Sequence, residues 1–365
     1  MDWDRKISFY PMAAAPPEWG GPRGTGLGSA ALRQDDWVDE TVPPAAAAPA
    51  TRLELRVHAL AWEAPGITRF ELRDPGGASL PPFSAGAHID VHVKPDCVRQ
   101  YSLCNDPAER DRYVIAPQRE EKGRGGSIAL HDGVRVGDVI TVSAPRNHFP
   151  LAAGARRHVL LAGGIGVTPM MAMVAHLERE GGAYRLYYCT RSRERTAFLD
   201  RLAPLVAQGK VVVHHDGGDP SRGLDLRELL REPEPDTHVY YCGPAGFMEA
   251  VRDATSHWPA ESVHFEYFTP PASPGAAAQR PFTIHLERSG VDLAVPADKT
   301  IVQVLRENGV FIETSCENGV CGTCLTRYLE GEPEHRDFVL DESDRREFVM
   351  VCCARAKSDV LTLDL

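Results

Sequence analysis

The 365-residue chain has no apolar run approaching the roughly 18 residues that a membrane-crossing helix needs. It has no excess of basic charge: 40 Lys and Arg stand against 51 Asp and Glu, a formal charge of −11, where a nucleic-acid binder would show a basic patch. It has a poor leader, since "MDWDRKISFYPMAAAPPEWG" opens with acids and its short apolar stretch is broken by prolines. A cytoplasmic location is the resulting expectation, with neither membrane nor nucleic acid among the partners. No internal repeat is visible. The chain also lacks an even cysteine count. Of nine cysteines, Cys97, Cys104, Cys189 and Cys242 are scattered and five fall in the last fifty residues. A disulfide framework would be even-numbered and would suit a small secreted domain. Clustered cysteines in a cytoplasmic chain point to metal.

What is present is ordinary globular material, 43% apolar and 25% charged, long enough for two or three domains. Residues 1–50, with "PPEWGGPRGTGLGS" and "PPAAAAPA", lack sustained periodicity and read as a disordered extension; Met12 is a second possible start. Residues 51–152 show short alternating runs such as "LELRVHAL" and "AHIDVHV" between Gly and Pro, the pattern of an antiparallel β-barrel. Residues 153–269 change character. "RHVLLAGG", "YRLYYCT", "GKVVVHHD" and "THVYYCGP" read as strands alternating with helices, which predicts a doubly wound α/β domain. Residues 270–280 are a linker by composition, and 281–365 form a small α+β unit with a helix near Lys299 to Asn308 stopped by Gly309.

Several stretches carry chemistry. In "RQYSL", placed after a strand, Arg99 has the forked guanidinium suited to a phosphate. Tyr101 offers a ring edge, and Ser102 a hydroxyl, to a flat heterocycle. Surface residues at a strand end would look the same. The turn "GRGGS", with Gly125, Gly126 and Ser127, leads into a short helix whose N-terminus would accept the phosphate of a flavin mononucleotide; a plain flexible loop is the alternative. In "LLAGGIGVTPM", Gly163, Gly164 and Gly166 end the first parallel strand ahead of Thr168 and Pro169, where a dinucleotide's phosphates would approach. The pattern is not G-x-G-x-x-G, and no acid follows about 20 residues on. Thr190 and Arg191 end the second strand instead. "YYCGP" sets Cys242, Gly243 and Pro244 in the same crevice, with the Cys242 sulfur beside a nicotinamide ring or, equally, in the core. His214 and His215 are not read as metal ligands, because adjacent strand residues face opposite ways.

The most specific signal is "SCENGVCGTC". Cys316, Cys321 and Cys324 follow C-x4-C-x2-C, and with a distant fourth cysteine this is the plant-type [2Fe–2S] spacing. Structural zinc more often pairs two C-x2-C arms. The only cysteines downstream are Cys352 and Cys353. On an extended strand only one of them would face the cluster.

Barrel with R-x-Y-S, GRGGS turn, GGIGVTPM, CGP and C-terminal cysteine loop, in that order, resemble the phthalate dioxygenase reductase family and its close relatives, the vanillate demethylase reductases. The resemblance covers about residues 51–365. It implies a ferredoxin–NADP reductase-like flavoprotein with a β-grasp ferredoxin domain at its C-terminus, holding FMN, NADH and a [2Fe–2S] cluster. It also implies that Arg99, Tyr101, Ser102 and Gly125–Ser127 hold the flavin and that Phe268, ending "VHFEYF", covers its ring. By the family pattern, in which the fourth ligand precedes a small or apolar residue, Cys352 is the ligand and Cys353 its packed neighbour. Preference for NADH also rests on the resemblance, against the local presence of Arg191, Arg193 and Arg195.

A nicotinamide yields two electrons together and a cluster accepts one, so a flavin between them is a sensible converter. A monomeric reductase serving a separate Rieske-type or haem oxygenase is the expectation. A self-contained NADH oxidoreductase for small acceptors and a redox sensor remain as alternatives. Residues 281–365 carry 16 Asp or Glu against 9 Lys or Arg, a formal charge of −7, which would steer a basic partner face or simply keep the surface solvated.

Overall fold

In β1 (Arg52–Ala64), Leu55 and Val57 are buried while Glu54, Arg56 and His58 are exposed, so one face of the strand has a core to cover. The computed structural model describes residues 52–94, 97–123, 125–268, 280–314, 316–320 and 322–365. The expected extension at 1–50 and most of the linker at 270–280 lie outside the described residues.

β1 joins β2 (Ile67–Arg73), β3 (His88–Lys94), β4 (Cys97–Ser102), β5 (Tyr113–Ile115) and β6 (Val139–Ser143) in a six-stranded antiparallel sheet of order β4-β3-β6-β1-β2-β5. Helix α1 (Gly126–Gly133) lies between β5 and β6 in the chain. Leu55, Val57, Phe70, Leu72, Ile89, Val91 and Val142 fill the core.

The next sheet is parallel throughout. It contains β7 (Arg157–Gly163), β8 (Ala183–Thr190), β9 (Val211–His215), β10 (Thr237–Cys242) and β11 (Val263–Glu266), in the order β11-β10-β7-β8-β9. Helices α2 (Val167–Glu180), α3 (Leu199–Ala207), α4 (Leu226–Leu229) and α5 (Ala245–Ala254) connect the strands. One face packs Leu160, Leu186 and Tyr188 against Met170, Met171 and Leu202; the other packs Leu161, Val239 and Tyr241 against Met248 and Val251. The chain reverses its direction of travel across the sheet between β7 and β10, which opens a crevice at their carboxyl ends.

The last sheet holds β12 (Phe282–Leu286), β13 (Val291–Val295), β14 (Leu325–Glu330), β16 (Phe348–Met350) and β18 (Val360–Leu363), in the order β13-β12-β18-β14-β16. Here β12 and β18 run parallel, and β15 (Pro333–Glu334) pairs separately with β17 (Arg355–Ala356). Helix α6 (Ile301–Glu307) covers this sheet with Ile301, Val304 and Leu305. Its first turn is closed by a capping box. Thr300 Oγ1 accepts from the Gln303 amide at 3.2 Å, and Gln303 Oε1 from the Thr300 amide at 2.9 Å. Gly309 follows at φ +76°, the left-handed stop expected there.

Two local expectations are corrected. Arg99, Tyr101 and Ser102 lie on β4 itself, because Val91 pairs with Arg99 and His88 with Ser102, so the strand runs to its end through the motif. Cys352 and Cys353 do not lie on an extended strand. β16 ends at Met350, whose carbonyl accepts the amides of Cys353 at 3.1 Å and Ala354 at 3.0 Å, so the pair occupies a tight turn. Opposition of neighbouring strand side chains therefore does not separate them.

That turn is anchored by Arg355, which is 4% exposed. Its guanidinium donates to the carbonyls of Lys299 (2.5 Å), Arg280 (2.8 Å) and Pro296 (3.1 and 3.2 Å) and lies 4.7 Å from the Phe282 ring centroid. Replacing it would take the guanidinium donors from the Lys299 and Arg280 carbonyls and leave the Pro296 carbonyl only the Lys299 amide at 3.3 Å. Arg355→Met is expected to destabilise this part of the molecule by about 2–4 kcal/mol. Calorimetry of the variant against wild type checks it, and an unchanged unfolding transition would contradict the anchoring role.

Candidate functional site

On the first sheet, Arg99 reaches from β4 to the start of α1. A Cβ placed on Gly126 would come 2.5 Å from Arg99 Cγ and 2.6 Å from its Nε, so the guanidinium arm lies directly against the helix entry. Gly125, at φ +79°, takes the left-handed N-cap position, and no side chain caps the first turn. A guanidinium and uncapped amides thus meet at one point, an arrangement suited to an anion. Ser127 faces elsewhere: its Oγ accepts the Glu120 amide at 2.9 Å and closes the turn. Tyr101 is half-buried, and its burial raises the hydroxyl's pKa.

Ser102 connects this sheet to the parallel one. Its Oγ donates to Glu266 Oε2 at 3.4 Å, and Glu266 ends β11 beside Cys242 on β10. The Glu266 side chain is 13% exposed, and burial pushes its pKa up to about 8. His88 Nδ1 stands 3.9 Å from Glu266, and burial, then Arg146, pushes the His88 pKa down to about 3. A neutral carboxyl and a neutral imidazole therefore share the seam between the sheets at neutral pH. Cys242 is fully buried, and burial raises its thiol pKa well above the ordinary value.

The glycines at the crevice have an internal task first. A Cβ on Gly166 would lie 2.1 Å from the Cys242 carbonyl oxygen, and one on Gly163 would lie 2.9 Å from Pro244 Cδ. Gly243 is pressed equally close to the Phe247 ring. These residues let the loops after β7 and β10 pack back to back. Gly164, at φ +54°, has open space where a Cβ would stand. Thr168 and Pro169 are buried in the first turn of α2, with Thr168 Oγ1 donating to the Ile165 carbonyl at 3.0 Å. Thr190 is similarly occupied, bonded to Thr196 Oγ1 at 2.7 Å and His215 Nδ1 at 2.9 Å. Arg191, Arg193 and Arg195 are exposed at that strand end. His214 bonds the Arg222 carbonyl, away from His215. Phe268 is 40% exposed, two residues past β11.

At the far end, Cys316, Cys324 and Cys352 are all buried. The Cys316 sulfur accepts the amides of Asn318 at 3.3 Å and Val320 at 3.5 Å. Hydrogen bonds from Cys316, then Cys324 and Cys353, hold the Cys352 thiol far below the ordinary range. Cys353 is half-buried, its sulfur 2.6 Å from where a Gly319 Cβ would lie. Cys321 lies outside the described residues.

The family profile described as "2Fe-2S iron-sulfur cluster binding domain" matches residues 284–357, and "Oxidoreductase NAD-binding domain" matches 160–253. A solved structure of phthalate dioxygenase reductase, described as modular for electron transfer from pyridine nucleotides to [2Fe-2S], is 47% identical, covers 86% of this chain and 98% of its own, and superposes with a TM-score of 0.67. This chain belongs to the phthalate dioxygenase reductase family. The reductase is also 49% identical to the reductase subunit of the tert-butanol monooxygenase / tert-amyl alcohol desaturase of Aquincola tertiaricarbonis, over 87% of this chain and 97% of that one. An intact type IV self-sufficient cytochrome P450 monooxygenase is 40% identical, with a TM-score of 0.78, over 86% of the reductase and 41% of the larger chain.

The residues present fit the groups this family implies. Buried sulfurs converge, and backbone amides point at one of them, as thiolate ligands require. The Arg99–Gly126 cradle fits a phosphate. Two participants escaped sequence reading. Glu266 lies inside the quoted "VHFEYF", where an acid among aromatics was the available signal; His88 carried none.

Glu266 leads to a pH prediction. Its pKa is raised above the unfolded 4.5 to about 8, so its stability contribution is full below pH 4.5 and is lost as pH rises through 8. Between pH 6 and 9 the wild-type melting temperature should fall more steeply than that of Glu266→Gln, which has no carboxylate to ionise. Parallel curves would refute the assignment.

Proposed function

We propose that this chain is the NADH-dependent reductase component of an oxygenase system, carrying electrons from NADH by way of FMN and a [2Fe–2S] cluster to a separate terminal oxygenase. The supporting observation is that the Arg99–Gly126 cradle, the β7/β10 crevice and the convergent cysteines occur in one folded chain, with Ser102 and Glu266 joining the first two. When bound, the flavin takes an electron pair from nicotinamide and releases it singly to the cluster.

In this reading Arg99 and the amides of Gly125 and Gly126 bind the FMN phosphate, and Tyr101 and Ser102 orient its ring. Phe268 covers the ring and excludes water. Gly164 admits the dinucleotide's phosphates, while Gly163, Gly166, Gly243, Pro244, Thr168 and Pro169 keep the crevice's shape. Thr190 and Arg191 border the adenosine end, and Cys242 sets the nicotinamide depth. Cys316, Cys321, Cys324 and Cys352 bind the cluster, and Cys353 packs beside it. The acceptor is a Rieske-type or haem oxygenase with a basic face for the acidic C-terminal module, and the reductase is monomeric and cytoplasmic.

Cofactor content, nucleotide preference and two cysteine variants test this. The purified protein should hold about one FMN and two irons per chain and show a higher kcat/KM with NADH than with NADPH; colourless, zinc-loaded protein would defeat the reading. Cys352→Ser should lose or strongly shift the cluster yet keep NADH reduction of the flavin. Cys353→Ser should keep the cluster and most cytochrome c reduction. The reverse pattern would move the fourth ligand by one residue.

A further inference from the structure

The cluster loop meets the segment after β6 at Gly322, between Cys321 and Cys324. A Cβ placed on Gly322 would lie 3.1 Å from Cε1 and 3.2 Å from Nε2 of His148, so this imidazole edge abuts the loop's backbone. Gly322 stands at φ +75°, where a side chain would be strained as well as crowded. His148 follows β6 in the segment leading to the parallel sheet. Its exposed ring is stacked on His88, with centroids 5.7 Å apart and planes inclined at 29°.

His88 is a rigid backing. It is 4% exposed, and its backbone exchanges hydrogen bonds with Arg146 at 2.8 and 3.0 Å. Its Nε2 is 3.1 Å from Gln100 Nε2. It sits directly across from Ser102 in the β3–β4 register, and its other nitrogen faces Glu266. Two rings thus run in sequence from the Ser102–Glu266 seam to the cysteine loop. A separate contact, Tyr267 on Phe338 with centroids 5.1 Å apart, joins the end of β11 to the last module, so His148 does not hold that module alone.

We propose that His148 is the positioning residue for electron transfer between flavin and cluster: backed by His88, it fills the gap at Gly322 and fixes the cysteine loop at its working distance. This inference rests on the reductase reading. Each transfer oxidises the reduced flavin by one electron and reduces the oxidised cluster by one, with NADH supplying the pair. Tunnelling weakens steeply across an unfilled gap, so a small displacement of the loop has a large effect on rate. An electron step of this kind does not use the histidine as a proton carrier, so ring shape, not protonation, is the requirement.

The test uses holo-protein carrying His148→Ala or His148→Phe. Anaerobic stopped-flow absorbance follows flavin bleaching by NADH and then cluster bleaching, and hydrogen–deuterium exchange follows the peptide spanning 316–324. In His148→Ala, flavin reduction should stay within about twofold of wild type, while flavin-to-cluster transfer falls about tenfold or more. Loop exchange should rise. In His148→Phe, which keeps a ring of similar breadth, loop protection and most of the transfer rate should return. Transfer at the wild-type rate in His148→Ala, slowed transfer with unchanged loop exchange, or equal slowing of both steps would each overturn the proposal. Failure of the reductase reading looks different: wild-type protein would itself show no cluster bleaching by NADH, which sinks both.

Discussion

The molecule depends on backbone reaching backbone without a side chain between. At Gly166 the loop after β7 lies against the Cys242 carbonyl, so the two loops at the reversal point of the parallel sheet form one surface instead of two. A methyl group there would push the loops apart and widen the crevice by the width of an atom. Binding sites at such reversal points are made by strand ends, and their dimensions are those of the loops that leave them. The crevice geometry follows from that contact, while the β10–β11 pairing places Glu266 beside the buried Cys242.

The seam around Glu266 and His88 shows what burial does to ionisable groups. In water a glutamate is ionised throughout the physiological range and a histidine is charged at its acid end, yet at neutral pH both are held neutral here by removal from solvent. The two groups differ in range: His88 stays neutral across ordinary pH, whereas the Glu266 carboxyl is neutral at pH 7 and ionises as pH rises through about 8. The charged groups are kept at the margin. Arg146 pairs with Asp90 behind His88, and the arginines after β8 stand in solvent.

Local patterns in the sequence carried the architecture well. Period-two alternation in "LELRVHAL" became β1, the apolar run "RHVLLAGG" became a central parallel strand, and Gly309 stopped α6. The cysteine spacing singled out a loop whose described sulfurs do come together with Cys352. What was not legible depends on distance along the chain. Ser102 meets Glu266 across 164 residues, and His148 meets Gly322 across the whole parallel sheet; no window of sequence contains either pair. The Cys352–Cys353 pair misled for another reason. Extended structure was assumed up to the cysteines, but local turn hydrogen bonds from the Cys353 and Ala354 amides to the Met350 carbonyl ended the strand early. In "GGIGVTPM", Gly163 and Gly166 also lie against the loop after β10, a contact that no local pattern shows.

Arg355 also has a mechanical consequence. It grips the carbonyl of Arg280, the first described residue of the last module, and it follows the Cys352 turn directly in sequence. The place where the chain enters the module and the place where the module presents its sulfurs are therefore one solid piece. If the module turned about its point of entry, the regions furthest from the Arg355 anchor would sweep the widest arc. The sulfurs, close to the axis, would travel least. A partner could then reorient the module's outer surface while the cysteines kept nearly the same separation from His148.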